Sequence, residues 1–94
     1  MVIEITDLRI KSELVEKFKA KLPEFRNILL SLPGGIAARC LQDEADPSKF
    51  VFFTEWESME AKDIFLADPR FVAWVGDFPD MIDEHVDRYF DEYH

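Results

Sequence analysis

Three side chains near predicted strand ends could carry chemistry. Trp56 closes the aromatic run FVFFTEW, where its ring could form a pocket wall and its indole N–H could donate a hydrogen bond. Asp7 lies late in the first apolar segment, where a buried carboxylate could act as a base. Arg39 could bind an organic anion such as a phenolate. Each also has a structural interpretation: a packed tryptophan, a solvated or capping carboxylate, and an ion-paired arginine.

Aromatic side chains are abundant for so small a chain, with nine Phe, two Trp and two Tyr. Part of this set could line a ligand pocket, and plain core packing is the alternative for every member. The candidates for substrate binding, beside Arg39, are Phe52, Phe65, Phe71 and Trp74.

Metal and thiol chemistry have little support in the sequence. The C-terminal segment is rich in carboxylates, but their spacing favours a solvated acidic surface over a metal site. These carboxylates are Asp77, Asp80, Asp83, Glu84, Asp87, Asp91 and Glu92. The single cysteine, Cys40, is interpreted as a buried apolar thiol. We therefore predict no metal site.

Length and charge restrict the class of protein. The 94 residues predict one domain spanning residues 1–94. A formal net charge of −9 disfavours partners with phosphate backbones and anionic membranes, so we expect neither nucleic-acid nor membrane binding. The N-terminal residues lack a basic region followed by an apolar one, and one cysteine cannot form an internal disulfide. We therefore expect a cytoplasmic protein.

The first half of the chain predicts a strand followed by a helix. Val2–Ile10 is short and β-branched, and Ser12 is placed as a helix N-cap. Pro23 should kink the helix or start a new one, and Pro33-Gly34-Gly35 should end it. Apolar residues recur at helical spacing at Leu14, Phe18, Leu22, Phe25, Leu29 and Leu32.

The second half predicts a hairpin, two short helices and a last strand. Residues 36–42 and 50–57 alternate on either side of an acidic turn. Ser58 should cap a helix that buries Ala61, Ile64 and Phe65, and Asp68-Pro69 should begin the next helix, which carries Phe71, Val72, Trp74 and Val75. Met81 and Ile82 are placed in a final helical turn, and the last strand is predicted over residues 86–93.

This order, strand–helix–strand–strand–helix–strand, predicts an α+β, ferredoxin-like βαββαβ fold with a four-stranded antiparallel sheet and both helices on one face. The hairpin is apolar on both faces, with Phe50, Phe52 and Trp56 on one side and Val51 and Phe53 on the other. A second copy of the chain is the simplest cover for the open face, so we expect a homodimer paired through its sheet faces.

The segment from Pro33 to Trp74 resembles antibiotic biosynthesis monooxygenase domains. The resemblance rests on an ordered set of features: a Pro-Gly-Gly turn, an acidic Asp-Pro turn, an aromatic strand ending in Trp, a capped helix opening with Glu-Ala, and an Asp-Pro-x-Phe break. Here these are Pro33-Gly34-Gly35, Asp46-Pro47, Trp56, Ser58, Glu60-Ala61 and Asp68-Pro69-Arg70-Phe71. The resemblance implies a dimeric α+β barrel.

The resemblance also implies three possible functions. The first is monooxygenation, without a cofactor, of a small aromatic or quinol-like molecule, with Trp56 and Asp7 as candidate catalytic residues. The second is a non-enzymatic dimer that binds a small apolar ligand or serves as an accessory module. The third is haem degradation, which is disfavoured because Trp74 or Val75 stands where that branch carries its axial His. We therefore expect no cofactor.

Overall fold

The structure is a computed structural model that describes residues 1–92. It confirms the predicted order of strands and helices and adds a short 3₁₀ turn, Ser12–Leu14. The strands are β1 (Val2–Ile10), β2 (Gly35–Gln42), β3 (Lys49–Trp56) and β4 (Ile82–Asp91). The helices are α1 (Val15–Ser31), α2 (Met59–Ala67), α3 (Pro69–Val75) and α4 (Phe78–Met81). β4 begins four residues earlier than predicted, and the Tyr93 end of the predicted strand lies outside the described residues.

The four strands form one antiparallel sheet in the order β2-β3-β1-β4. Val2 pairs with Trp56 and Thr6 pairs with Phe52, so these four side chains lie on the same face, called the inner face below. Apolar residues of this face and of the helices form one core cluster. The predicted α+β, ferredoxin-like fold is confirmed.

Aromatic rings make up the centre of this core. Phe25 of α1 stacks on Phe52 of β3 with ring centroids 4.8 Å apart, and Phe18 lies 4.8 Å from Phe50. Leu29 is also fully buried. The helical stripe read from the sequence therefore packs against the sheet, with Leu14, Leu22 and Leu32 at its margins.

The two later helix starts follow their sequence signatures. Ser58 Oγ accepts a hydrogen bond from the backbone N–H of Ala61 at 3.1 Å, and Asp68 Oδ1 accepts one from the N–H of Arg70 at 2.8 Å. The predicted cap at Ser12 is wrong. Ser12 lies inside the 3₁₀ turn, where its hydroxyl faces the Glu13 carboxylate instead of a helix N–H.

Some local predictions require correction. α1 runs as one helix through Pro23, so no new helix starts there, because apolar contacts on both sides of the proline hold the helix on the sheet. The predicted kink at Pro23 stays a prediction. Ile64 is 53% exposed because it lies on the outward side of α2.

A reciprocal pair of hydrogen bonds joins α1 to α3. The Trp74 indole Nε1 donates to the backbone carbonyl of Lys21 at 2.7 Å, and Lys21 Nζ donates to the carbonyl of Trp74 at 2.6 Å. The Lys21 ammonium also lies 5.3 Å from the centre of the Phe78 ring. These contacts fix α3 over the core.

The turn between α1 and β2 depends on two glycines. Gly34 has a φ of +86°, a backbone conformation that glycine adopts without strain, and its carbonyl accepts from the Glu57 N–H at 2.8 Å. Gly35 passes so close to α1 that a Cβ there would lie 2.1 Å from the carbonyl oxygen of Leu29. Gly34 is therefore required by the turn, and Gly35 by its close packing against α1.

Candidate active site

A cavity of about 600 Å³ lies between the inner face of the sheet and the helices α2, α3 and α4. Aromatic side chains form most of its apolar wall. They are Phe25, Phe52, Trp56, Phe65, Phe71, Trp74 and Phe78. The structure therefore brings together five residues selected from the sequence, namely Trp56 and the four aromatic candidates for substrate binding. A volume of this size is typical of small-molecule sites.

The rings form a continuous wall because β3 leads directly into α2. Trp56 ends β3, and Phe65, two turns into α2, lies 5.8 Å from it between ring centroids. Phe71 of α3 continues the wall at 4.5 Å from Phe65, and Trp74 follows at 6.0 Å from Phe71. The alternative that Trp56 is buried between two sheets does not hold, since Trp56 lies on the inner face and is 2% exposed.

Two polar atoms in this wall lack hydrogen-bond partners. The indole Nε1 of Trp56 and the hydroxyl Oγ1 of Thr54 are buried, and neither contacts a donor or acceptor within the described part of the chain. Both residues line the cavity. Leaving a buried polar group unpaired costs about 1–3 kcal/mol, so a ligand oxygen that accepted from Trp56 would recover part of that cost.

Another part of the cavity wall is polar and is formed by the first and last strands of the chain, β1 and β4. Thr6 Oγ1 donates to Asp87 Oδ1 at 2.8 Å, and His85 Nε2 lies 3.0 Å from Asp87 Oδ2. The Tyr89 hydroxyl donates to the carboxylate of Glu4, which pairs with it across β1 and β4. All five side chains line the cavity, which thus has an aromatic half and an ionisable half.

Burial changes the acidity of two groups in the polar wall. Desolvation raises the pKa of Glu4 above its usual value, and the hydrogen bond from Tyr89 only partly offsets this effect. The pKa of Tyr89 is raised for the same reason and by its bond to Glu4. Lys62, itself buried, holds its ammonium 4.6 Å from the centre of the Tyr89 ring and 3.3 Å from an oxygen of Asp63.

The raised pKa of Glu4 predicts a specific pH dependence of stability. The folded state holds the Glu4 proton more tightly than the unfolded chain. The contribution of Glu4 to the free energy of unfolding therefore decreases as the pH rises from about 4.5 through the pKa of Glu4 in the folded state. Glu4→Gln should remove that loss, and the free energy of unfolding of the variant relative to the parent should increase over the same interval. Urea unfolding at pH 4.5–7.5 measures the difference, with exposed Glu16→Gln as the control. Parallel curves for Glu4→Gln and the parent chain would contradict the assignment.

Asp7 and Arg39 do not line this cavity, so the structure does not bring them together with Trp56. Thr6 and Leu8, the neighbours of Asp7 in β1, project from the inner face. The side chain of Asp7 therefore projects from the other face of the sheet, called the outer face below. There Asp7 Oδ2 accepts from Arg88 Nη2 at 2.7 Å. Arg39 is exposed and borders a separate cleft next to α1.

Sequence reasoning missed the polar wall. Its members are Glu4, Thr6, His85, Asp87 and Tyr89. The alternation of β1 already assigns Glu4 and Thr6 to the face opposite Asp7, and this pattern could have identified them. To predict that His85 and Asp87 lie in the same wall, one would need to know how β4 pairs with β1, and the sequence does not specify this pairing.

Residues 1–92 lack a cluster of metal ligands, and neither position expected for the axial haem ligand carries a histidine. Within residues 1–92, no group of three His, Cys, Asp or Glu side chains is placed to hold a metal ion. The positions expected to carry an axial His are Trp74 and Val75; Val75 has no ligating atom, and the Trp74 indole nitrogen already donates to Lys21. Burial raises the pKa of the Cys40 thiol to about 12, so the thiol stays protonated at neutral pH.

The fold and the cavity define a small α+β domain in which an aromatic cavity lies between one face of a ferredoxin-like sheet and its covering helices. Residues 1–77 match the sequence model of the family described as antibiotic biosynthesis monooxygenase. The chain belongs to that family, as its Pro33–Trp74 motifs predict. No curated protein sequence matches it significantly.

Solved structures of similar proteins share the fold along the full length. One described as an antibiotic biosynthesis monooxygenase is 26% identical with a TM-score of 0.82, and the match covers 100% of both chains. A Nitrosomonas europaea protein provisionally assigned to the same activity is 18% identical with a TM-score of 0.93, again over 100% of both chains. A Pseudomonas aeruginosa protein is 12% identical with a TM-score of 0.91, over 99% of this chain and 94% of its own.

Proposed function

We propose that this protein is a monooxygenase that oxidises a small aromatic, quinol-like molecule in the cavity between the sheet and the helices, with electrons supplied by the substrate. In such a reaction a CH₂ or C–H carbon of the substrate, once its conjugated hydroxyl is deprotonated, reduces dioxygen. One oxygen atom becomes a carbonyl of the product, and the other leaves as water with two substrate hydrogens. Membership in the monooxygenase family supports the reaction type.

The observation that carries the proposal is that Trp56 lines an aromatic cavity while its buried indole N–H has no partner within residues 1–92. Aromatic walls favour a flat apolar ligand through stacking and exclude water from a reactive anion. A single N–H donor in that environment stabilises negative charge on a substrate oxygen more strongly than it would in water. The aromatic walls and the single N–H donor together fit a substrate that becomes an aromatic oxyanion.

Oxygen uptake measures this function directly. Purified protein should accelerate oxygen consumption with a panel of anthrones and hydroquinones, and mass spectrometry should find one atom of ¹⁸O from ¹⁸O₂ in the product. Val72→Ala is a control for protein handling, since Val72 is 54% exposed and lies outside the cavity. Binding of these molecules without oxygen uptake would overturn the enzymatic proposal and leave a ligand-binding module.

We also propose that the functional unit is a homodimer paired through the outer face. Ile5, Val51 and Phe53 project from this face, and Val86 and Phe90 of β4 add exposed apolar area, 55% and 44% exposed respectively. A second copy would bury this surface, and the flanking Asp7–Arg88 ion pair would border it.

A charged residue on the outer face should separate the protomers. Val86→Asp is expected to halve the mass measured by light scattering at micromolar concentration, because it places a carboxylate in the apolar interface. The fold of each protomer should survive, since Val86 is exposed on the single chain. Circular dichroism checks that point. A parent protein with the mass of one chain at this concentration would contradict the dimer.

A further inference from the structure

The polar wall contains a connected group of three side chains. The carboxylate of Asp87 is held at both oxygens: Thr6 Oγ1 donates to Oδ1 at 2.8 Å, and His85 Nε2 lies 3.0 Å from Oδ2. His85 and Asp87 project from the same side of β4, and Thr6 pairs with Asp87 across β1. All three line the cavity that contains Trp56.

This arrangement determines which imidazole nitrogen of neutral His85 is free. A carboxylate only accepts hydrogen bonds, so the nitrogen facing Asp87, Nε2, carries the hydrogen. The other nitrogen, Nδ1, then carries the lone pair and can accept a proton. Asp87 also stabilises the imidazolium that forms when Nδ1 is protonated, as the carboxylate partner of a catalytic histidine does.

Three further carboxylates line the cavity besides Asp87, namely Glu4, Asp83 and Glu84, and two of them have partners. Glu4 accepts from the Tyr89 hydroxyl, and the bond holds both side chains. Glu84 lies 3.8 Å from Arg9. His85 is therefore the group in the polar wall that combines a free lone pair with a carboxylate that orients it.

We propose that His85 is the general base of the oxidation, with Asp87 as its positioning residue and Thr6 holding Asp87. The inference rests on the proposed function and assigns its first chemical step. The O–H bond of the substrate breaks, its proton forms a bond to His85 Nδ1, and the electron pair stays on the substrate oxygen. The carbon of the resulting conjugated anion forms a bond to dioxygen, and the peroxide takes the proton from His85. The O–O bond of this hydroperoxide then breaks as the same carbon loses its hydrogen as a proton, which leaves a carbonyl on that carbon and releases the other oxygen atom, with both hydrogens, as water.

The kinetic test compares four variants with the parent protein, using the substrate that the oxygen-uptake panel identifies. His85→Gln should lower kcat by about 100-fold or more with little change in KM, because a general base acts in the transition state. Asp87→Asn and Thr6→Val should have progressively smaller effects. Free imidazole should partly restore kcat to His85→Ala. An unchanged kcat for His85→Gln would overturn the assignment.

A second test does not depend on turnover. ¹⁵N NMR of the histidine side chains at a pH where His85 is neutral should show the hydrogen on Nε2, and Asp87→Asn should abolish this tautomer preference. A hydrogen on Nδ1 in the parent protein would overturn the proposal. If oxygen uptake is absent while the tautomer is as expected, the proposed reaction fails. If uptake is present and His85→Gln is fully active, His85 is not the base.

Discussion

Trp56→Phe is expected to lower kcat/KM for the oxidised substrate by about 10- to 100-fold. The substitution keeps an aromatic ring in the wall but removes the indole N–H, which has no partner within the described chain. If that N–H donates to the substrate oxygen as negative charge develops, its loss weakens transition-state binding more than substrate binding. The effect should therefore appear mainly in kcat.

Steady-state oxygen uptake and light scattering on the same preparation separate the roles of Trp56. The dimer should persist in Trp56→Phe, since the ring lies on the inner face, away from the proposed interface. Val72→Ala should match the parent in both measurements. A Trp56→Phe variant that turns over normally but dissociates into monomers would contradict the assignment of Trp56 to the ligand site.

Gly35→Ala is expected to destabilise the protein by about 3 kcal/mol or more. A Cβ at this position would lie 2.1 Å from the carbonyl oxygen of Leu29 and 3.2 Å from a methyl carbon of its side chain. The oxygen belongs to the backbone of α1, so the contact can be relieved only by moving the helix or β2. Urea unfolding measures the loss of free energy.

Gly76→Ala is the matched control for that experiment. Gly76 follows α3 with a φ of −57°, which alanine adopts freely, and the nearest atom to its Cβ would be the Ala73 carbonyl oxygen at 3.3 Å. Its stability should change by less than about 1 kcal/mol. Equal losses at Gly35 and Gly76 would show that chain flexibility, and not close packing, accounts for both.

The fold was predictable because its determinants are local in sequence. The stripe of apolar residues along α1, the capping side chains Ser58 and Asp68, and the alternation of β3 each specify one element. The wrong prediction of a new helix at Pro23 has a tertiary cause. Pro23 disfavours a continuous helix, but packing of Phe18 and Phe25 on the sheet outweighs that preference.

The candidate site was only half predictable. Phe52, Trp56 and Phe65 belong to neighbouring elements, so their sequence spacing places them near one another. The polar wall joins residues about 80 positions apart, as in the Thr6–Asp87 hydrogen bond. Such a contact depends on the register between β1 and β4. A shift of this register by one residue would move the side chains of His85 and Asp87 to the outer face, where Asp7 lies.

The low burial of β4 has a consequence for how this scaffold can acquire new specificities. From Asp83 to Asp91 the strand is exposed on the single chain, and its backbone is held by hydrogen bonds to β1. Exchanges at its inward positions, 85, 87 and 89, therefore alter the reactive lining while leaving the hydrophobic core intact. The aromatic half offers no such freedom, because Trp56 and Phe65 hold the helices in place. Substitutions along β4 should therefore change the lining of this cavity at the smallest loss of stability.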